Sequence, residues 1–284
     1  MRTVYFDTNA YVDAFEDRKP GLFPRIKQKV DSGAMITIGS DSLLLEVMNG
    51  LTTAPNLELG LTRFFSLDPK WLFVAALGAR DVILTFDPIV QTDPVGALFT
   101  WQQVLPIFFQ EPLLLLVNPD LHIPTVAALK SLFSAPRLDN SEQRRDAHLQ
   151  NQRHGLMKRL ETESKEQLFT WLVTRWLNGH PRSKTFADEL LANPDRAPAF
   201  RLDFELECYL AKPRNLITLK NEHLDRVHAA VIPFVDFFIT GDAALRKALE
   251  WYDSTVRLPV GRKPYMAKVC KDWSDVEDRL SEAS

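Results

Sequence analysis

The chain of 284 residues has only two cysteines, Cys208 and Cys270, which excludes a disulfide framework and a spaced Cys/His metal centre. They read as reduced thiols of a cytoplasmic protein. An excess of positive charge is also missing. With 34 Lys and Arg against 37 Asp and Glu, the net charge is −3. No global field therefore draws the chain to nucleic acid, and any such binding must use a local patch. Long apolar runs are lacking too. Nothing before Asp7 is long enough to act as a signal peptide. The most apolar segment, 96–117, contains Gln102, Gln103, Gln110 and Glu111 and is broken by Pro106 and Pro112. It reads as a buried helix followed by a second apolar segment, Leu113 to Val117, and not as a membrane span. No internal repeat or low-complexity tract is present. Hydrophobic residues make up 45% and charged residues 25%, enough to bury a sizeable core in one elaborated domain or two.

The stretch from Arg2 to Val12 organises the rest. Thr3 to Phe6 alternates like a strand and leads directly into Asp7-Thr8-Asn9. That places Asp7 at the carboxyl end of a strand, where open parallel sheets bind their ligands, with Thr8 and Asn9 able to start a helix. Asp7 thus either caps a helix or offers a carboxylate to a divalent cation.

Downstream, Asn9 to Phe15 predicts a helix start, Arg18 to Gly21 a turn, and Leu22 to Val30 a second helix closed by Asp31-Ser32-Gly33. Met35 to Ile38 is a short strand, and Ser40-Asp41 caps the helix Ser42 to Met48, ended by Asn49-Gly50. Glu46 interrupts the apolar run of that helix. A charge there is costly if buried alone, so Glu46 either lies on a polar face or is presented to a cation.

From about Leu51 to Lys220 the pattern is mostly helical. Expected helices are Lys70 to Ala79, Gly96 to Leu105, Pro124 to Phe133, Ser141 to Asn178, Thr185 to Ala192 and Phe200 to Ala211, with Asp81 to Phe86 as an extra strand. Arg144, Arg145, Arg153, Lys158 and Arg159, beside His148 and His154, form the best basic patch. It is either a solvated helix face, since acids resume at Glu161, Glu163 and Glu166, or a contact for RNA. Trp171 and Trp176 read as core.

The last part of the chain carries further acids. Asp225 and His228 share a face of an expected helix that Pro233 closes. Asp236 to Thr240 is a strand whose end bears Thr240-Gly241-Asp242. A helix from Ala243 to Tyr252, a strand from Met266 to Cys270 and a capping box at Ser274 to Glu277 complete the pattern.

Taken together, Asp7-Thr8-Asn9 after the first strand, Glu46 on the helix after the second, Asp225-x-x-His228 and Phe238-Ile-Thr-Gly-Asp242 resemble the PIN domain, a family of metal-dependent nucleases. Asp7 and Glu46 lie 39 residues apart and Asp225 and Asp242 lie 17 apart, as in the regular members of the family. The interval of 179 residues from Glu46 to Asp225 is much longer than usual and resembles a large insertion. The resemblance implies an α/β fold, a three-layer α/β/α sandwich with a parallel sheet of four or five strands. Residues 1–60 and 215–284 would form a discontinuous nuclease domain around a mostly α-helical insertion at 61–214.

It further implies that Asp7, Glu46, Asp225 and Asp242 bind Mg2+ or Mn2+, with Thr240 placing a water or the metal. Asn9, His228 and Asp236 would be supporting or structural residues. The implied activity is endoribonuclease cleavage leaving a 5′-phosphate and a 3′-hydroxyl, with RNA as substrate. A protein partner, or an antitoxin as in short toxin relatives, would be a further possibility of the family. The chemistry is consistent: phosphodiester hydrolysis needs an activated water, charge neutralisation and a stabilised leaving alkoxide, and oxygen-bound divalent cations supply all three. Mutual repulsion predicts raised carboxylate pKa values without the cation, and stabilisation on adding it. Two other readings are a non-catalytic scaffold binding RNA or protein, and a phosphatase of the haloacid dehalogenase type. The phosphatase wants an acid where Asn9 stands.

Overall fold

A computed structural model describes residues 1–49, 54–72, 117–118, 123–124, 158–176, 183–192, 198–210, 228–256 and 267–282. In chain order the first half holds β1 (Arg2–Phe6), α1 (Thr8–Phe15), α2 (Leu22–Asp31), β2 (Met35–Ser40), α3 (Asp41–Asn49), α4 (Ala54–Phe65) and β3 (Lys70–Leu72). Two short strands, β4 (Val117–Asn118) and β5 (Ile123–Pro124), pair antiparallel with each other. Then come α5 (Lys165–Trp176), α6 (Ser183–Ala192), α7 (Pro198–Leu210), β6 (Phe237–Ile239), α8 (Ala243–Thr255), β7 (Lys268–Cys270) and α9 (Trp273–Glu282).

Five of these strands form one all-parallel sheet in the order β3-β2-β1-β6-β7. The chain builds outward from β1 through β2 to β3, then returns to the other side of β1 with β6 and β7. The order therefore reverses between β1 and β6. In an open α/β sheet such a reversal leaves a crevice at the carboxyl ends of the two strands. Asp7 follows β1 there, and its backbone N–H donates to the Ile239 carbonyl at the end of β6, 2.9 Å away.

β1 occupies the centre because Val4, Tyr5 and Phe6 are all apolar-bodied and all buried, as a strand covered on both faces requires. Phe6 meets Phe15 of α1 edge-on and stacks on Trp273 of α9. Tyr5 points the other way and stacks on Phe238 of β6 with ring centroids 5.7 Å apart. At the amino end of the sheet, the Asp236 carboxylate accepts from the Thr3 N–H at 2.8 Å, the Thr3 hydroxyl at 3.0 Å and Arg2 at 3.1 Å. These bonds join segments 233 residues apart and set the register Val4 to Phe237.

Several elements differ from the sequence expectation. Lys70 begins a strand and not a helix: Trp71 lies over Gly39 of β2, where a Cβ would come within 3.0 Å of the indole. A side chain at residue 39 would press on that ring. Because β3 is part of the sheet, and Leu61, Phe64, Leu67 and Trp71 belong to the main core, the sheet body extends past residue 60. It also includes α7, whose Ala199, Leu202, Leu206 and Tyr209 pack into the same core. The opposite face of α7, through Phe204 and Cys208, joins a second apolar cluster with Leu168, Phe169, Leu172 and Val173 of α5 and Ala187 and Leu190 of α6.

The long helix expected from Ser141 to Asn178 is interrupted at residues 161–164. Ser164 and Gln167 form a capping box: the Gln167 N–H donates to the Ser164 hydroxyl at 3.3 Å and the Ser164 N–H to the Gln167 side chain at 2.8 Å. At the chain's end, α9 is capped by Asp272, which accepts from Ser274 and Asp275, and not by Ser274. Glu277 instead binds Arg25 of α2 and the Trp273 indole N–H. Pro124, expected to open a helix, pairs in β5. The expected helix 96–105 and strand 81–86 lie outside the described residues. No described helix is long and apolar enough to cross a membrane.

Candidate active site at the strand switch point

Asp7 caps α1, its Oδ1 accepting from the Ala10 N–H at 2.8 Å. It is 6% exposed, and the Thr240 hydroxyl is near enough to favour its charged form. Burial pushes its pKa above the ordinary value; the bonds from Thr240 and Ala10 and the nearby His228 pull it down, and Glu46 adds a small upward push. Desolvation thus dominates the mutual repulsion expected from sequence.

Thr240 links the two halves of the site. Its fully buried hydroxyl lies near Asp7 and accepts from the Asp242 N–H at 3.1 Å, and its carbonyl accepts from Arg246 of α8 at 2.7 Å. Asp242 in turn caps α8 through the Leu245 N–H at 2.7 Å. So the first and last acids of the pattern flank one threonine at the carboxyl ends of β1 and β6, each at the start of a helix. A helix N-terminus favours negative charge, which lets two acids stand this close.

Glu46 reaches the same place from α3. Its Oε2 accepts from the Thr8 hydroxyl, next in sequence to Asp7, and lies 2.7 Å from His228 Nε2. His228 is buried, and its other ring nitrogen, Nδ1, lies 2.5 Å from the Tyr5 hydroxyl. The interrupted polarity of α3 is therefore no accident of composition: Glu46 is turned toward β1 and has charged or polar partners there.

Of the remaining expected residues, Asn9 is exposed in the first turn of α1. Asp236 is not with the acids. It stands at the amino end of β6, level with Thr3, about 13 Å of strand from Asp7 at ~3.3 Å per residue. Its role is the staple described above. Asp225 lies outside the described residues, as do Arg144, Arg145 and Arg153 of the basic patch. Lys158 is exposed, whereas Arg159 grips Glu163 at 2.7 and 3.0 Å and covers the Trp171 ring at 4.6 Å. Among the described residues, no group of three or more His, Cys, Asp or Glu side chains is spaced to hold a metal ion.

Comparison of the chain with protein-family models, with curated proteins and with solved structures finds no match. Everything that bears on the site is therefore in its own residues. Four of them escaped the sequence reading. Thr8 reads only as a helix starter and Ser40 as a cap, Tyr5 only as part of the first strand, and Arg246 carries no reading of its own. Their partners are distant in sequence or on the backbone, so spacing carries no signal for them.

Proposed function

We propose that the chain is a metal-dependent endoribonuclease of PIN type, built as a three-layer α/β/α sandwich. The observation that carries the proposal is that Asp7, Thr240 and Asp242 stand at the carboxyl ends of the neighbouring strands β1 and β6, with Glu46 tied to Thr8 beside Asp7, although they come from opposite ends of the sequence. Burial raises the pKa of Asp7 there, and a bound cation would offset the desolvation of its carboxylate.

The described acids are not by themselves spaced as a metal site; brought together with Asp225, which the family resemblance adds, Asp7, Glu46 and Asp242 would hold Mg2+ or Mn2+ through hard oxygen donors. When bound, such an ion supplies an activated water and offsets the charge that grows on the phosphoryl oxygens. The chain's own residues do the positioning. The Ala10 N–H holds Asp7 beside the Thr240 hydroxyl, Thr8 and His228 hold Glu46, and Arg246 fixes the Thr240 carbonyl. RNA is the proposed substrate and the cytoplasm the proposed compartment.

A specific observation favours a second reading, a non-catalytic scaffold: each described acid already has a local structural task. Asp7 and Asp242 cap helices, and Glu46 pairs with His228. The two are separated by incubating pooled labelled RNAs, structured and unstructured, with Mn2+, Mg2+ or EDTA, beside Asp7→Asn and Asp242→Asn. Cation-dependent cuts lost in both variants support the nuclease. RNA retained uncut by the wild type in all three conditions supports the scaffold.

A further inference from the structure

A continuous series of short polar contacts links the amino end of α3 to Glu46. The Leu43 N–H, in the first turn of α3, donates to the Ser40 hydroxyl at 3.0 Å. Ser40 Oγ and the Tyr5 hydroxyl are 2.9 Å apart, Tyr5 and His228 Nδ1 are 2.5 Å apart, and His228 Nε2 and Glu46 Oε2 are 2.7 Å apart. Tyr5 and Ser40 are fully buried and His228 is nearly so. A carboxylate only accepts, so Nε2 must carry the proton toward Glu46. In neutral imidazole Nδ1 is then an acceptor, which obliges the Tyr5 hydroxyl to donate to it and the Ser40 hydroxyl to donate to Tyr5. With a neutral His228 the polarity Leu43 to Ser40 to Tyr5 to His228 to Glu46 gives every link one donor and one acceptor, whereas an imidazolium would reverse the Tyr5 links, with Nδ1–H donating to Tyr5 and Tyr5 to Ser40.

We propose that Tyr5 is a positioning residue of the site: its hydroxyl holds His228 in the Nε2–H tautomer and through it aims the Glu46 carboxylate at the crevice. The proposal deepens the nuclease reading, because it takes Glu46 to be a working acid. The chain closes on itself, since it starts at the amino end of α3 and returns to the middle of the same helix by way of β1 and His228. It therefore locks α3 to the central strand on which Asp7 stands. Outer partners that orient a ligating group typically matter about 10- to 100-fold in metal affinity.

The test uses the full chain labelled with 15N-histidine, with His228→Gln to assign the His228 signals among the six histidines. In the cation-free wild type at mildly alkaline pH, the expected imidazole pattern is a protonated Nε2 and an unprotonated Nδ1. Tyr5→Phe keeps the ring stacked on Phe238 and should lose that single-tautomer pattern, with Mn2+ affinity about 10-fold weaker. Ser40→Ala removes the α3 cap but leaves Tyr5 its donor bond to His228, so it should keep the pattern. An Nδ1–H or doubly protonated His228 in the wild type overturns the proposal. So does a Tyr5→Phe pattern like that of the wild type, or a Ser40→Ala pattern as disturbed as that of Tyr5→Phe. A wild type with the expected tautomer but no Mn2+ binding sinks the metal reading, and with it the role given to Glu46, while the tautomer data still separate that failure from a wrong hydrogen-bond chain.

Discussion

Asp7 stands where two demands oppose each other. As a cap it needs only an oxygen for the Ala10 N–H, but as a buried carboxylate it has lost most of its water. Burial therefore raises its pKa in the folded chain above the ordinary 3.8. The sign follows from linkage: the folded state binds this proton more tightly than the unfolded state. Its contribution to stability is full below about 3.8 and is lost as pH rises through the raised value. An asparagine side chain at this position would keep the capping oxygen without the charge. The Asp7→Asn protein, free of cation, should thus melt higher than the wild type at neutral pH, the gap closing as pH falls toward 3.8. Paired thermal melts across pH check this, and a variant that melts lower at neutral pH contradicts it. The same substitution should lower cation-dependent RNA cleavage at least about 100-fold, since roughly 3 kcal/mol of charge stabilisation is at stake. Cleavage kinetics on a single defined RNA measure that loss.

At the scale of an element, Asp242 separates structure from chemistry within helix α8. Its side chain caps the helix at 2.7 Å through Leu245, while its place beside Thr240 gives it a part in the site. Asn caps as well as Asp, whereas Ala costs about 1 kcal/mol. Asp242→Asn should therefore keep the wild-type denaturant midpoint and lose cleavage, and Asp242→Ala should lose cleavage and about 1 kcal/mol of stability. Equal stability losses in both variants would mean that the charge, not the cap, supports α8. The elements that carry Asp7, Glu46 and Asp242 were readable in advance because each couples a period to a boundary: alternating Thr3 to Phe6 before an acid, apolar Leu43 to Met48 after Ser40, and Phe238-Ile before Thr240-Gly241-Asp242. Lys70-Trp-Leu was not readable, since three residues carry no period and its place beside β2 depends on Gly39, which is remote in sequence. Nor was the break before α5, where the Ser164–Gln167 box sits inside an otherwise helical pattern and a local cap overrides it. The link from Tyr5 through His228 to Glu46 spans 223 and 182 residues and exists only once the sheet has closed.

The whole molecule is tied together by its ends. β1 takes its parallel neighbour β6 from far along the chain, and the last strand and helix complete that side of the sheet. Trp273 of α9 stacks on Phe6, the residue before Asp7, with centroids 6.1 Å apart, and Cys270 and Val276 are fully buried in the same core. A chain ending at residue 256 would lose these groups and uncover the edge of β6, where the Thr240 N–H now donates to the Cys270 carbonyl at 3.0 Å. Thr240 is also the hydroxyl between Asp7 and Asp242, so the tail supports the site directly. Binding of a cation to the folded state alone stabilises it by ~2.7 kcal/mol at a free concentration of about 100 times Kd. For a chain of this size that is a shift of roughly 5 °C in melting temperature. Wild type should show that shift with Mn2+, Asp7→Asn and Asp242→Asn should lose most of it, and the chain ending at residue 256 should show neither a cooperative melt nor a response. If the shortened chain melts cooperatively and still rises with Mn2+, the cation sits elsewhere and the crevice between β1 and β6 is not its site.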